Sequence, residues 1–185
     1  MHNKTIKIAL VGQPNVGKSM LINSISNARL RVGNFSGVTV AKEEVFLKYK
    51  DYQIQITDLP GAYSLNDYTL EEKVTKEFLD KEDYDIILNV LDSTNLQRNL
   101  LLTSELLALD KKMILALNMS DEADKELITI DELQLSKILG KPCIKTSAAK
   151  KSGVTKLLDE IILKFKNEKT PNKLFFLYLI EDDIG

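Results

Sequence analysis

The sequence has no tryptophan, one cysteine (Cys143), one histidine (His2) and four prolines in 185 residues. A single cysteine excludes an internal disulfide and fits a reducing compartment. With so little His and Cys there is no cluster at metal-ligand spacing, so no iron is expected to bind directly to this chain. His2, beside the terminus, reads as a tail residue and not a ligand. Neither sign of charge dominates: 25 basic residues stand against 27 acidic ones, a formal net charge of -2. That balance supplies no strong field for nucleic acid, although a local basic patch stays open. The opening MHNKTIKIALVG has too short an apolar run for a signal peptide. No apolar run approaches the roughly 20 residues that a membrane-spanning helix needs. The longest late run, Leu174 to Ile180 (LFFLYLI), falls well short, and the chain is expected to be soluble.

What is present is 44% hydrophobic residues over a length that suits one globular domain with a real core. IKIALV (Ile6 to Val11) reads as a buried strand, followed by a glycine-containing turn and a helix to about Ala28. Arg29 to Val40 carries Gly33 and Gly37, lacks a helical period and reads as a loop. AKEEVFLKY and YQIQITD read as two strands of a hairpin turning at Lys50-Asp51. A helix is expected from Leu70 to Lys81, a strand at Asp85 to Asp92 and a helix at Gln97 to Leu109. A strand at Met113 to Asn118, a helix from Ile130 to Leu139, a short strand CIKTS and an amphipathic helix from Val154 to Phe165 complete the series. Alternation of this kind implies an α/β fold: a six-stranded, mostly parallel sheet with helices on both faces and ligands at the carboxyl ends of the strands. Residues 1–166 make the domain. Lys166 to Lys173 (KNEKTPNK) is polar and contains a proline, so 167–185 reads as a linker leading into a further, truncated segment.

GQPNVGKS, Gly12 to Ser19, fits G-x-x-x-x-G-K-[ST] between a strand and a helix, the context a P-loop requires. Gly12 and Gly17 let backbone N–H groups close round a phosphate. Lys18 reaches β- and γ-phosphates, and Ser19 offers a hydroxyl to Mg²⁺. DLPG, Asp58 to Gly61, follows a strand next to the first. Asp58 can hold Mg²⁺ through water, and the Gly61 N–H can meet a γ-phosphate. Thr39, in the loop before the hairpin, would complete the Mg²⁺ shell. After the Met113–Asn118 strand, NMSD supplies Asn118 and Asp121. Guanine presents two donors side by side where adenine presents an acceptor, so a carboxylate at Asp121 selects guanine. In TSAAK, a backbone N–H at Ser147 or Ala148 could meet the guanine carbonyl. Each motif alone is weak; four in order, each after a strand, point to GTP.

With these motifs in place the chain resembles a P-loop small-GTPase domain of the translation-factor class. More narrowly it resembles the N-terminal GTPase (G) domain of the bacterial ferrous-iron transport protein B family. RVGNFSGVTV (Arg31 to Val40), DLPGAYSL (Asp58 to Leu65), LDSTNLQRNL (Leu91 to Leu100) and LALNMSDEA (Leu115 to Ala123) carry that resemblance, which runs from about Ile6 to Lys166. It implies a nucleotide-contacting set of Gly12, Gln13, Pro14, Asn15, Val16, Gly17, Lys18, Ser19 and Met20, then Gly37, Val38 and Thr39, then Asp58, Leu59, Pro60 and Gly61. Asn118, Met119, Asp121, Ser147, Ala148 and Ala149 would surround the base. Asn15, Lys18, Thr39 and Gly61 would carry catalysis. The implied ligands are GTP or GDP and Mg²⁺ (Ser19, Thr39, Asp58), with K⁺ held by Asn15 and the carbonyls of Gly33 and Phe35. Asn15 could instead only stabilise its turn.

The family further implies a cytoplasmic domain of a bacterial inner-membrane iron importer. Its partners would be a helical domain and a transmembrane region of the same polypeptide. Leu174 to Ile180 would be either the start of that helical domain or an apolar segment cut short. This sequence departs in having Phe35-Ser36 where Trp-Pro is usual, and Ser19 for threonine. Met119 replaces the lysine of a standard N-K-x-D and is common in the family. Ala62 stands where many GTPases orient water with glutamine, so hydrolysis is expected to be slow. A soluble GTPase of the ribosome-assembly or tRNA-modification type, and a nucleotide-binding module with negligible turnover, are the alternatives.

Overall fold

The computed structural model describes residues 4–66 and 68–167. The expectations for His2, for most of the 166–173 linker and for Leu174 to Ile180 lie outside those residues. Among the described residues seven strands form one sheet in the order β2-β3-β4-β1-β5-β6-β7. Strand β1 (Lys4–Gly12) pairs in parallel with β4 (Tyr52–Asp58) on one side and β5 (Ile86–Asp92) on the other. Outward from β5 lie β6 (Met113–Asn118) and β7 (Cys143–Lys145), both parallel. Beyond β4 the sheet turns antiparallel, through β3 (Ala41–Tyr49) to β2 (Arg29–Asn34) at the edge.

The sheet therefore has one strand more than the six expected, because Arg29–Asn34 is a strand and not a loop. The physical reason is its position. All six residues of β2 are exposed, so neither face had to be apolar and no burial period marks it. The β3–β4 hairpin is as expected, with Tyr49 opposite Tyr52 and the turn at Lys50 and Asp51. A hydrogen bond from the Tyr49 hydroxyl (2.6 Å) and an ion pair from Lys50 (2.9 Å) both fall on Asp159. They tie that turn to α6 (Val154–Lys166).

Strand alternation sorts the two cores. Ile6, Ile8 and Leu10 of β1, with Ile54 and Ile56 of β4, face α1 (Lys18–Asn23) and α6. Leu21, Ile22, Leu157, Leu158, Ile161 and Ile162 come from those helices. Ala9 and Val11 face the other way, toward Val74 and Leu79 of α2 (Leu70–Lys81) and Leu102 and Leu106 of α3 (Leu96–Leu107). Each fully buried Ile or Leu contributes about 1.5–3 kcal/mol, so these layers set the sheet rigidly under the loops at its carboxyl edge. Cys143 is in the second core as expected of a strand residue, and burial pushes its thiol up to about 11.

Three helices differ in detail from expectation. Helix α1 stops at Asn23, where the Ser24 hydroxyl donates to the Leu21 carbonyl. The short helix α4 (Ser120–Lys125) has no sequence counterpart, and α5 (Glu132–Leu139) begins two residues later than expected, with Asp131 accepting from the Gln134 N–H. At the start of α2, Glu72 is buried. Its N–H donates to Thr69 Oγ1 (3.1 Å) and its carboxylate accepts from the Tyr68 N–H (3.3 Å), close to a capping box. Among the described residues no helix is long and apolar enough to cross a membrane.

Candidate functional site

The loop from Gly12 to Gly17 leaves β1 and enters α1. Its shape demands glycine at both ends. A Cβ on Gly12 would lie 2.7 Å from the Val90 carbonyl oxygen of β5. Gly17 has φ +83°, and a Cβ there would lie 2.6 Å from Asn118 Nδ2. Asn15 is also left-handed, at φ 67°. Left-handed turns at Asn15 and Gly17 gather N–H groups into a hollow suited to an anion.

Beside this loop lies a cleft of about 330 Å³, lined by Lys18, Ser19, Val40, Ala41, Glu43, Asp58, Leu59, Pro60 and Gly61. Within it the Lys18 ammonium donates to Asp58 Oδ1 (3.0 Å) and to the Leu59 carbonyl (2.5 Å). The segment after β4 is held against the loop after β1. Ala62 N–H donates to the Gly12 carbonyl (3.1 Å), and a Cβ on Gly61 would meet the Pro14 backbone at 3.0 Å. Thr75 Oγ1 of α2 donates to the Pro60 carbonyl. Among the described residues no group of three or more His, Cys, Asp or Glu converges on a metal position. A cation in this cleft therefore depends on Ser19 and on oxygens of its ligand as well as on Asp58.

Val40, Ala41 and Glu43 are the lining residues that the motif reading missed, and Glu43 is the charged one. Its signal was available, because a two-residue turn after Tyr49 sets the hairpin register and places Glu43 opposite Asp58. Opposite residues of an antiparallel pair share a face, so a second carboxylate stands at the cleft wall.

At the far end, Asn118 is 1% exposed and spoken for at both ends of its amide. Nδ2 donates to the Val16 carbonyl (2.9 Å) and, more weakly, to that of Gly17 (3.4 Å). Oδ1 accepts from the hydroxyl of Thr146 (3.0 Å), another residue the motifs did not single out. Asn118 is thus first a strap joining three loops, with one lone pair of Oδ1 to spare. Met119, next to it, is left-handed (φ 58°) and caps α4, while Ser120 N–H donates to the Thr146 carbonyl. Asp121 is nearly buried. The Ser147 hydroxyl, outweighing the cost of burial, holds its carboxyl below the usual range, with help from the N–H groups of Asp121 and Glu122 and from Lys125. Ser147 is fixed in turn by paired backbone bonds with Ser152 (3.1 and 3.0 Å). Gly153, at φ +77°, packs so closely on the Lys145 carbonyl that no Cβ fits. Ala148 is half-buried on the same loop and Ala149 exposed.

Several expected contacts are not brought to the cleft. Thr39 is exposed and does not line it. Gly37 and Val38 also stay away. Val38 N–H donates to the Phe35 carbonyl (3.2 Å) across a turn with Gly37 at φ 75°, and this turn packs on α2. Phe35 is buried edge-on to Phe78, with centroids 6.2 Å apart. An apolar side chain in an open loop seeks the nearest core, which is why these residues face α2 and not the cleft. Of the K⁺ candidates, Asn15 is exposed, Gly33 lies in β2, and the Phe35 carbonyl is already an acceptor. A cation there must share that carbonyl or open its turn. The Gln13 side chain is buried and donates to the Arg98 carbonyl of α3 (2.6 Å), so only its backbone faces the hollow; Met20 is 61% exposed on α1.

A family model described as ferrous iron transport protein B matches residues 6–161. The Fe(2+) transporter FeoB of Helicobacter pylori is 60% identical over 173 residues, which cover 92% of this chain and 27% of that protein. The chain therefore spans about a quarter of the length of this curated relative. Among solved structures, the cytosolic domain of T. maritima FeoB in a GDP form aligns with a TM-score of 0.87 and 38% identity, covering 91% of this chain and 66% of that one. The GMPPNP form of the same domain aligns at 0.86 and 40% identity, covering 89% and 65%.

Proposed function

The chain belongs to the ferrous iron transport protein B family, and from that premise we propose that it is the family's guanine-nucleotide domain, binding GTP and GDP and hydrolysing GTP slowly. In this reading it stands on the cytoplasmic side of a bacterial inner-membrane ferrous-iron transporter. Helical and transmembrane parts of the same polypeptide would be its partners, and its nucleotide state would signal to them.

The observation that supports this reading best is the Asn118 strap. It ties the base-reading loop to the phosphate loop through Val16 and to the third loop through Thr146. The distance from base to phosphates is thereby built into the fold before any ligand arrives, and pre-organisation of that kind favours binding. Asp121 supplies the carboxylate that matches the two adjacent donors of guanine. The hollow at Gly12–Gly17 accepts the phosphates, and Lys18 meets them once it leaves Asp58.

Ser19 and Asp58, hard oxygen donors on one cleft, fit Mg²⁺. Bound there, Mg²⁺ would neutralise charge on the β- and γ-phosphate oxygens. Thr39 would join only after the loop that now packs on α2 swings in, and that swing is the proposed switch. The buried Ala62 offers no side-chain hydrogen bond to a water, which is the basis for slow turnover. Asn15, exposed and left-handed within the phosphate loop, would be the anchor for the K⁺ expected to compensate.

The test is binding and turnover with GTP and ATP in K⁺ and in Na⁺. GTP is expected to bind and ATP not. Turnover in K⁺ is expected to exceed that in Na⁺ by about tenfold or more, as charge supplied at the phosphates is worth at least that. Asn15→Ala removes the difference; equal rates in the two salts, unchanged by Asn15→Ala, exclude K⁺ activation. Met119→Lys restores a charged tether between the base loop and the phosphate loop, and GDP release is expected to slow by about two- to fivefold, the worth of one exposed ion pair. An unaltered off-rate in stopped-flow chase would show that the methionine does not set GDP retention.

A further inference from the structure

Helix α3 touches both halves of the phosphate site. It is pinned to the first half twice. Gln13, inside the Gly12–Gly17 loop and 6% exposed, donates to the Arg98 carbonyl (2.6 Å). Thr103 Oγ1 donates to Asn89 Oδ1 (2.7 Å), and Asn89 Nδ2 donates to the Val11 carbonyl just before that loop (3.2 Å). The Thr103–Asn89–Val11 chain is buried and the Gln13–Arg98 bond part-buried, and together they leave α3 little freedom to shift against β1. Its contact with the second half is different in kind. Glu105 Oε2 accepts from the Leu65 N–H (2.5 Å), a single charge-assisted bond to a loop backbone, with Glu105 half-exposed.

Leu65 ends the segment whose other contacts seat it against the phosphate loop. Lys18 is paired with Asp58 and the Leu59 carbonyl, and the Ala62 N–H is given to Gly12. With the Gly61 N–H as the group that meets a γ-phosphate, that phosphate has to come between Gly61 and the phosphate loop, yet Gly61 is seated on Pro14, where a Cβ would lie 3.0 Å from the backbone. Accepting a γ-phosphate therefore means moving the segment from Asp58 to Leu65. A diphosphate makes no such demand at its missing γ-position. Since α3 is pinned and cannot follow, its bond to Leu65 must stretch or break.

We propose that Glu105 is a positioning residue, a latch on α3 that holds the Asp58–Leu65 segment in its resting arrangement and so biases the domain against the triphosphate. This rests on the guanine-nucleotide reading above. A ligand shifts such an equilibrium only by its differential affinity for the two arrangements, so removing a bond present in one of them changes the ratio of affinities. A bond that merely stabilises the loop in both arrangements would leave that ratio alone.

The test uses the whole chain and fluorescent GDP and GMPPNP, titrated in Mg²⁺ against wild type, Glu105→Ala and Glu105→Gln. Glu105→Ala is expected to raise the affinity for GMPPNP relative to GDP by about five- to twentyfold, the range for one partly exposed charge-assisted hydrogen bond. Its GDP affinity stays near wild type. Glu105→Gln keeps an acceptor oxygen without the charge and is expected to fall between the two, about two- to threefold above wild type. It carries the test if the alanine variant does not fold. Both nucleotides weakened alike, or an unchanged ratio in the folded variants, overturns the latch. Wild type that binds neither nucleotide overturns the guanine-nucleotide reading itself, and the latch with it.

Discussion

Gly17→Ala is expected to weaken guanine-nucleotide binding by about a hundredfold or more and to lower the unfolding temperature, because two separate penalties meet at one atom. The first is the backbone: φ is +83°, and an L-residue there costs about 1–2 kcal/mol. The second is the collision of the new Cβ with Asn118 Nδ2, at 2.6 Å. Asn118 is buried and engaged with Val16, Gly17 and Thr146, so displacing it strands an amide away from water, at about 1–3 kcal/mol. Gly37→Ala is the matched control. Its φ is similar, +75°, but nothing lies within 4 Å of its would-be Cβ, so it carries the backbone penalty alone. Calorimetric titration and thermal melts of the two variants separate the effects. If Gly17→Ala behaves no worse than Gly37→Ala, the strap is not what links base loop to phosphate loop.

The second large effect is expected at Asp121. Asp121→Asn replaces an acceptor pair with one acceptor and one donor, and the donor faces the guanine amino group. GTP affinity is expected to fall by about 10²–10⁴, the range for a recognition site left with mismatched polar groups. Xanthosine nucleotides carry a carbonyl where guanine has that amino group, so the variant should prefer them. Competition of GTP and xanthosine triphosphate for a fluorescent analogue reads the reversal; a variant that loses both equally would mean Asp121 shapes the loop and does not read the base. The pH dependence has a definite sign. The Ser147 hydroxyl holds the folded carboxyl below its ordinary value of 3.8. Its contribution to stability is thus present above that value and lost as pH falls through the depressed folded one. Base selection by a charged Asp121 should therefore be flat across the neutral range.

The parts of this fold that sequence reasoning reached are those in which burial imposes a period. Strand β1, the β3–β4 hairpin, β5, β6 and helices α2, α3 and α6 each bury a face, and each lies within a few residues of its expected place. Strand β2 buries nothing and α4 is one and a half turns long, so neither carries a pattern. The site divides in the same way. Gly12 and Gly17 were legible because a turn that needs glycine is local, and Asn118 and Asp121 because they stand at and just past the end of a strand; the bonds from Asn118 to Val16 and Thr146 were not legible. The Lys18–Asp58 pair, the Phe35–Val38 turn packed on α2 and the Glu105–Leu65 bond join segments far apart in the chain, and nothing in either segment alone announces the other. Gly37, Val38 and Thr39 were expected at the ligand because their motif implies a bound state. In the structure the packing of Phe35 beside them holds that loop on α2.

The two-residue turn between β3 and β4 has a consequence at the opposite end of the hairpin. From Tyr49 back to Glu43 is six residues, about 20 Å at the rise of a strand. The register laid down at Lys50 and Asp51 carries over that distance to set Glu43 opposite Asp58. One residue added to the turn would slide β3 by one place and swap its faces, sending Val45 and Leu47 outward and taking Glu43 off the cleft wall. An exposed surface turn, ordinarily the most forgiving place for length changes, is here as intolerant of insertion as the glycine loop itself.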